Sequence, residues 1–397
     1  MATAEITDII NAATSKPDAP GVVFQAVDRN GKIVNATASG PRGLNNANPM
    51  TTDTTFWIAS CTKMVTSIAL MQLVEQGKAD LDSADQLESV LPELKTVKIL
   101  EEVGPDGNAR LREKKNRITL KMLQTHTAGF SYTFFNDKLW KLFKEDPLQD
   151  EFQCQQEAFE QPLLFEPGTS RDYGIGIDWV GIFVERITHL SLGEYFQKNI
   201  FDPLGIKNTA FIPNAHMRST LASMHARDDR GTLAPRVHLI RTARQATGAS
   251  VFHSGGGGLM SNADEYCRII AALLNDGVSP TTSGRILKKS TIDQMFTNQI
   301  PDWMDKYAAN GYPVSRPDLA NVALRGPQPV PGNQGWGLNF LLMGDRYQQA
   351  TAPGLSNCYW ALDREKGIGG IILSQVLPFV DPVVVPLWVN VQALMFQ

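Results

Sequence analysis

From Ser60 to Gln76 the chain carries a helix pattern that is apolar around most of its circumference, with Met64, Ile68, Met71 and Val74 at helical spacing and Gly77 as the stop signal. A helix with so little polar surface has no stable place on the outside of a water-soluble protein. It belongs at the centre, and the rest of the chain must wrap it.

The wrapping is legible from both ends. Residues 4–15 read as an amphipathic helix with Ile6, Ile9, Ile10 and Ala13 on one face. Two β-rich runs follow, Gly21–Val27 and Ile33–Ser39, joined by Asp28-Arg29-Asn30-Gly31-Lys32, whose Asn-Gly pair is a hairpin signal. Near the other end, Gly335–Met343, Ser356–Leu362 and Ile368–Ser374 read as consecutive antiparallel strands, with 363–367 as a turn and 383–396 as a closing helix. Between the ends, residues 101–117 are polar and charged and read as an exposed excursion, and 118–245 are mostly helical in pattern. Residues 301–331 are dense in proline and glycine and read as a long ordered loop or lid. There are no internal repeats and no low-complexity tract. The predicted fold class is therefore α/β (α+β): an antiparallel sheet built from both chain ends and flanked by helices, with a mostly helical domain inserted. The expected domains are 1–95 with 246–397, and 96–245, with the active site in the crevice between them.

The start of the apolar helix carries chemistry. Ser60-Cys61-Thr62-Lys63 is an S-x-x-K motif, and positions i and i+3 share a helix face, so hydroxyl and ammonium can touch. Serine is a poor nucleophile until a neighbour takes its proton, and burial lowers a lysine's pKa enough for that task. At a helix N-terminus the Ser60 backbone N–H is also a candidate oxyanion donor. Alone the motif means little, since an N-cap serine followed by a surface lysine has the same pattern. A second segment, Phe165 to Gly174, delivers Tyr173 after a Pro-Gly turn and just before a helix pattern. Facing Lys63, its phenol would be drawn toward phenolate and toward use as a general base. Which of Lys63 and Tyr173 is the acylation base stays open at this level.

The order of segments then resembles a known family. Ile58-Ala59-Ser60-Cys61-Thr62-Lys63 precedes Leu120 to Gly129, with His126 inside it. Phe165-Glu166-Pro167-Gly168 with Tyr173 comes next, then Pro203-Leu204-Gly205-Ile206, Gly255 to Ser261 and Gly335-Trp336-Gly337-Leu338. This series resembles the class C β-lactamase-like serine hydrolases and penicillin-binding proteins. Tyr173 to Trp179, Gly354-Leu355-Ser356-Asn357 and Asp363-Arg364 are most similar to the fungal branch with the lovastatin side-chain acyltransferase. The resemblance spans roughly 20–390 and implies a β-lactamase/transpeptidase-like fold. It also implies Ser60 as the acylated nucleophile, Lys63 as its partner and Tyr173 as the motif tyrosine. The family's third motif, Lys-Thr-Gly or His-x-Gly, is replaced by Ala350-Thr351-Ala352-Pro353-Gly354. That removes the cation that grips a penicillin carboxylate and, because Pro353 has no N–H, shifts the second oxyanion donor to Gly354.

Trp336 is the candidate substrate-binding residue. His126 reads as structural, His253 as a loop residue, and Cys61 as packing, about 100° around the helix from Ser60. Gly255–Gly258 lacks the GxxxxGK[ST] pattern of a phosphate loop. The net charge of −4 gives no attraction to nucleic acid or anionic membrane, and no apolar run is long enough to span one. The six histidines and four cysteines show no ligand spacing, so no metal and no cofactor is expected. With no basic n-region before an apolar core at the N-terminus, the expected location is cytoplasmic. The favoured function is a serine acyltransferase that takes an acyl group from a thioester or ester to an alcohol acceptor, probed against a carboxylesterase and a catalytically silent binding scaffold. Its partners are then a small-molecule acyl donor and an alcohol acceptor, with an acyl-carrier protein as a possible donor.

Overall fold

A computed structural model describes residues 2–244, 251–301, 311–325 and 333–397. The principal strands are β1 (Val22–Asp28), β2 (Ile33–Ser39), β3 (Gln334–Trp336), β4 (Leu341–Met343), β5 (Gln349–Gly354), β6 (Cys358–Asp363) and β7 (Ile368–Leu373). They form one seven-stranded antiparallel sheet in the order β3-β4-β5-β6-β7-β1-β2, so the two chain ends meet where β1 pairs with β7. The Asn-Gly turn forms the expected hairpin, with Gly31 at φ +76° and the Asp28 N–H donating to the Lys32 carbonyl.

Along β1, Val22, Phe24 and Ala26 enter one apolar cluster while Val23 and Val27 enter the other. That period of two belongs to a strand covered on both faces. The principal helices are α1 (Ala2–Thr14), α2 (Thr62–Glu75), α3 (Gly176–Thr188), α4 (Ala263–Leu274) and α5 (Val384–Met395). Ile6 and Ile10 of α1 join Trp388 and Val391 of α5 over one face, and α4 packs on β1 and β7 from the other. Helix α2 lies in the larger cluster and packs on α3. Twelve of its fourteen residues are buried, as its composition demands. Most of its buried polar groups find partners: Thr66 donates to Gly255 O, Ser67 to Gln124 Oε1, and Gln72 Nε2 to the Asn199 and Ile286 carbonyls, while Gln72 Oε1 is left without one.

Three expectations change in detail. Residues 101–117 do not form a plain excursion; Ile99–Val103 and Ala109–Arg112 pair as an antiparallel ribbon whose outer positions carry the charges. The run Gly335–Met343 is two strands, folded back at Gly337–Phe340 through Asn339 at φ +77°. Of the proposed lid, 302–310 and 326–331 lie outside the described residues, while 311–325 is held against Phe134 and Phe379 by backbone hydrogen bonds.

We propose the domain division 1–95 plus 246–397 against 96–245, the 245/246 boundary itself lying outside the described residues. The two parts are stitched by His225–Arg227, which pairs in parallel with Val376–Leu377. Beside that joint, Arg227 Nε meets Asp381 Oδ2 at 2.6 Å with both side chains buried. Asp381 also accepts the Val383 and Val384 N–H groups that start α5. Removing one partner strands a buried charge. Arg227→Ala is therefore expected to lower unfolding free energy by about 3–5 kcal/mol. Urea denaturation checks it, and an unchanged midpoint would mean the pair contributes nothing.

Candidate active site

Ser60 sits on a tight turn, Ala59–Cys61, immediately before α2. Ala59 is left-handed at φ +44°, a conformation that costs an alanine roughly 1–2 kcal/mol and persists only when its surroundings enforce it. Gly354 at the end of β5 is part of that enforcement. A Cβ there would lie 2.7 Å from the Ile58 carbonyl oxygen, so only glycine lets the strand approach the turn this closely. The Gly354 backbone is thereby brought beside Ser60, and both line the same cavity.

Lys63, one helical turn on, is 2% exposed and donates from Nζ to Ser60 Oγ at 3.0 Å, to Tyr132 Oη at 2.9 Å and to the Gly256 carbonyl at 2.5 Å. Burial pulls its pKa down from the usual lysine range to about 7, against the opposing pull of the Asp178 carboxylate and the Cys61 sulfur. A neutral amine has two N–H donors and one lone pair. With the donors spent on Gly256 and Tyr132, the lone pair is left for the Ser60 hydroxyl proton.

The Gly256 carbonyl is itself held. Asp178, on α3 and fully buried, accepts from the Ser254 hydroxyl at 2.6 Å and from the Gly256 N–H at 2.9 Å. A Cβ on Gly256 would lie 2.3 Å from Asp178 Oδ2, so only glycine lets the run approach α3 this closely.

Tyr173 arrives through the Pro167-Gly168 turn. That segment is sewn to the stretch around His126 by Gly168 N–H to Thr127 O and Asp172 N–H to His126 O. The phenol hydrogen-bonds to Ser60, and its ring centre lies 4.8 Å from Lys63 Nζ. Lys63 thus meets the ring and not the hydroxyl. Burial drives the Tyr173 pKa up, the Ser60 hydrogen bond and Arg171 offset part of that, and Lys63 does not depress it. The expected pull toward phenolate is absent, and Tyr173 stands as a phenol hydrogen-bonded to Ser60.

His126 buttresses this arrangement. Its ring lies 4.5 Å from that of Tyr173, its Nδ1 accepts the Gly174 N–H, and its Nε2 pairs with Asn339 Oδ1 at 3.2 Å. The first contact requires a bare Nδ1, so Nε2 carries the proton. Burial, Arg171 and Lys63 hold the ring's pKa well below the normal histidine value, and it stays neutral. His253 stacks on Phe211 and accepts the Gly193 N–H, and Cys61 is fully buried, both away from chemistry.

Ser60, Lys63, Tyr173, Trp336 and Gly354 all line one cavity of about 320 Å³, whose walls are chiefly Phe134, Phe135, Tyr312, Leu324, Leu341 and Phe379. The five sequence candidates are brought together. Tyr132, Asp178, Gly256 and Arg171 were missed. Tyr132 lies three residues beyond the quoted Leu120–Gly129 stretch. Asp178 left a readable signal, a lone carboxylate in an otherwise apolar helix start. Among the described residues, no group of three or more His, Cys, Asp and Glu side chains could hold a metal ion, and no helix is long and apolar enough to cross a membrane.

Comparison with known proteins agrees with this geometry. The family described as Beta-lactamase matches residues 6–392. Monacolin J acid methylbutanoyltransferase of Aspergillus terreus is 30% identical over 381 residues, covering 92% of this chain and 88% of the relative. Lovastatin esterase of Penicillium rubens is 32% identical over 374 residues, covering 90% and 89%. The structure of a mutant of simvastatin synthase from Aspergillus terreus superposes with a TM-score of 0.84 at 28% identity, covering all of this chain and 96% of that one.

The acid–base geometry sets a pH profile. A base whose pKa is about 7 is protonated and idle below that value. The acylation rate constant is therefore expected to rise through pH 7 and level off above it. Asp178→Asn keeps an acceptor for Gly256 but removes the charge that favours the ammonium, so the midpoint should move to lower pH. Stopped-flow acylation with a p-nitrophenyl ester reads both. A midpoint unmoved in Asp178→Asn would show that this carboxylate does not act on Lys63.

Proposed function

The chain belongs to the β-lactamase family, and from that premise we propose that it is a serine acyltransferase working through an acyl-Ser60 intermediate. The observation that carries the mechanism is the 3.0 Å contact between Ser60 Oγ and a buried Lys63 whose other two hydrogen-bond positions are taken. Lys63 accepts the Ser60 proton as Oγ adds to the donor carbonyl. The Ser60 and Gly354 amides receive the oxyanion, and the leaving thiolate or alkoxide departs with a proton delivered through Tyr173. An alcohol then enters beside Tyr173, gives up its proton along the same path in reverse and takes the acyl group.

Relatives named as methylbutanoyltransferases support transfer of a short branched acyl group to an alcohol acceptor in specialised metabolism. The apolar cavity suits such a body, and Trp336 forms part of its wall. The donor is a small acyl thioester or one borne on a carrier protein. Four cysteines, all buried and none in a disulfide, suit a reducing cytoplasm. Ester hydrolysis is the second reading, because one relative of similar identity is named an esterase.

A fluorophosphonate probe is expected to label Ser60, and Ser60→Ala to abolish labelling and turnover. Lys63→Ala and Tyr173→Phe should each slow acylation by several orders of magnitude, with the double variant little worse than either, since both serve one proton path. Rapid-quench product ratios with and without alcohols decide between the readings. Ester formed faster than free acid supports transfer, and free acid alone across a broad alcohol panel would make the enzyme an esterase.

A further inference from the structure

The turn Gly337–Phe340 that joins β3 to β4 carries a single polar side chain, Asn339. Its backbone is tied down: the Gly337 N–H donates to the Phe340 carbonyl, the Asn339 N–H to the Gly337 carbonyl and the Leu338 N–H to the Met295 carbonyl. Asn339 stands at φ +77°, in the left-handed region that asparagine tolerates better than most residues. It is 3% exposed and lines the same cavity as Ser60, Tyr173 and Trp336. Which way its amide faces is fixed from outside. His126 Nδ1 accepts the Gly174 N–H, so Nε2 carries the ring proton and donates to Asn339 Oδ1. A flipped amide would set donor against donor. The amide nitrogen is thereby left at the cavity wall, and among the described residues Nδ2 has no acceptor. A buried N–H without an acceptor is costly, so in the wall of a substrate cavity it points to an oxygen that the ligand brings. Groups nearby do not compete for that role: Thr351 Oγ1 donates to the Trp360 carbonyl, and Tyr173 is engaged with Ser60.

We propose that Asn339 is a specificity-determining residue whose Nδ2–H donates to a neutral oxygen on the body of the acceptor, a second point of attachment besides the hydroxyl that attacks. The acceptor is the molecule concerned because of what Asn339 touches. Its Oδ1 lies 3.2 Å from His126 Nε2, and the centre of that ring lies 4.5 Å from the ring of Tyr173, which the incoming hydroxyl must meet. This rests on the acyl-transfer reading above. An acceptor that brings the oxygen pairs the buried N–H, and one with a methylene in its place leaves the N–H unpaired. Two contacts on one rigid wall also fix how the hydroxyl approaches the acyl-enzyme.

The test loads the enzyme from a simple acyl thioester and offers an apolar cyclic alcohol beside analogues in which one ring methylene at a time is a ketone. In the wild type one ketone is expected to exceed the all-carbon parent in kcat/KM by roughly 5–30-fold, the value of a buried neutral hydrogen bond. Asn339→Gly takes the same backbone angle without strain and should bring that ratio to unity or below. Asn339→Asp keeps an oxygen for the His126 N–H but loses the donor, so it should lose the preference as well. A residue that served only as a prop for His126 would keep it. Each ratio is taken within one variant, so changes in Tyr173 placement or in folded fraction cancel. Parity between the parent and every ketone in the wild type, or a preference that survives in Asn339→Asp, overturns the assignment. If no alcohol is esterified, the transfer reading fails on its own, and the same alcohols serve as competitive inhibitors of p-nitrophenyl ester hydrolysis. Tighter binding of one ketone, lost in Asn339→Asp, then supports the contact, and equal inhibition by parent and ketones overturns it.

Discussion

A lysine buried in a helix with almost no polar surface is the constraint around which the molecule is arranged. Lys63 is 2% exposed, and an ammonium in such a place is stable only with every donor satisfied and a counter-charge near. The surroundings meet a narrower demand, that of an amine balanced between its two states. Tyr132 and the Gly256 carbonyl take two protons, Ser60 offers a third partner that is itself a proton source, and Asp178 limits the fall in pKa. Without Asp178, burial would leave a weaker base. Without burial, the amine would be charged and idle. The midpoint near 7 is the compromise.

Each partner comes from a different stretch of chain, and each meets α2 or the turn that leads into it. Tyr132 follows the Leu120–Gln124 helix, Asp178 opens α3, Gly256 lies in the glycine run and Gly354 closes β5. Packing of the central helix and assembly of the site are therefore one event. The left-handed Ala59 fits this view. Its strain is tolerable because β5 lies against the turn, so an error in sheet register would also misplace Ser60.

Local pattern carried much of this into the sequence. The Asn-Gly hairpin, the closing helix and the apolar helix with its Gly77 stop depend on near neighbours and were readable from them. Ser60 and Lys63 were readable because i and i+3 must share a face. Tyr173, Gly354 and Trp336 needed the family's segment order, since nothing near them announces their convergence. What escaped was long-range. Tyr132 reaches Lys63 across 69 positions and Gly256 across 193, and no periodicity encodes such contacts. The ribbon at 99–112 escaped for another reason, its charges lying on a two-stranded edge that resembles a loop in composition. Misreading Tyr173 as a prospective phenolate was an error of geometry. The sequence placed a cation beside the tyrosine but could not say that it would meet the ring and not the oxygen.

That distinction bears on how one scaffold serves both transfer and hydrolysis. If Tyr173 were a standing phenolate, it would activate any hydroxyl that reached it, water included, and water is always present. A phenol that only relays a proton between Ser60, Lys63 and an incoming hydroxyl gives no such advantage. The acceptor must then be held in place, and the gain comes from orientation. An apolar wall of Phe134, Phe135, Tyr312, Leu324 and Phe379 gives water few partners while an acceptor's apolar body fills the space. Under the proposed mechanism, transfer and hydrolysis would differ in what occupies the cavity during the life of the acyl-enzyme, with the same Ser60, Lys63 and Tyr173 in both. Relatives of nearly equal identity bearing transferase and esterase names fit such a mechanism, in which a change in the cavity wall would redirect the acyl group without touching the groups proposed to move the proton.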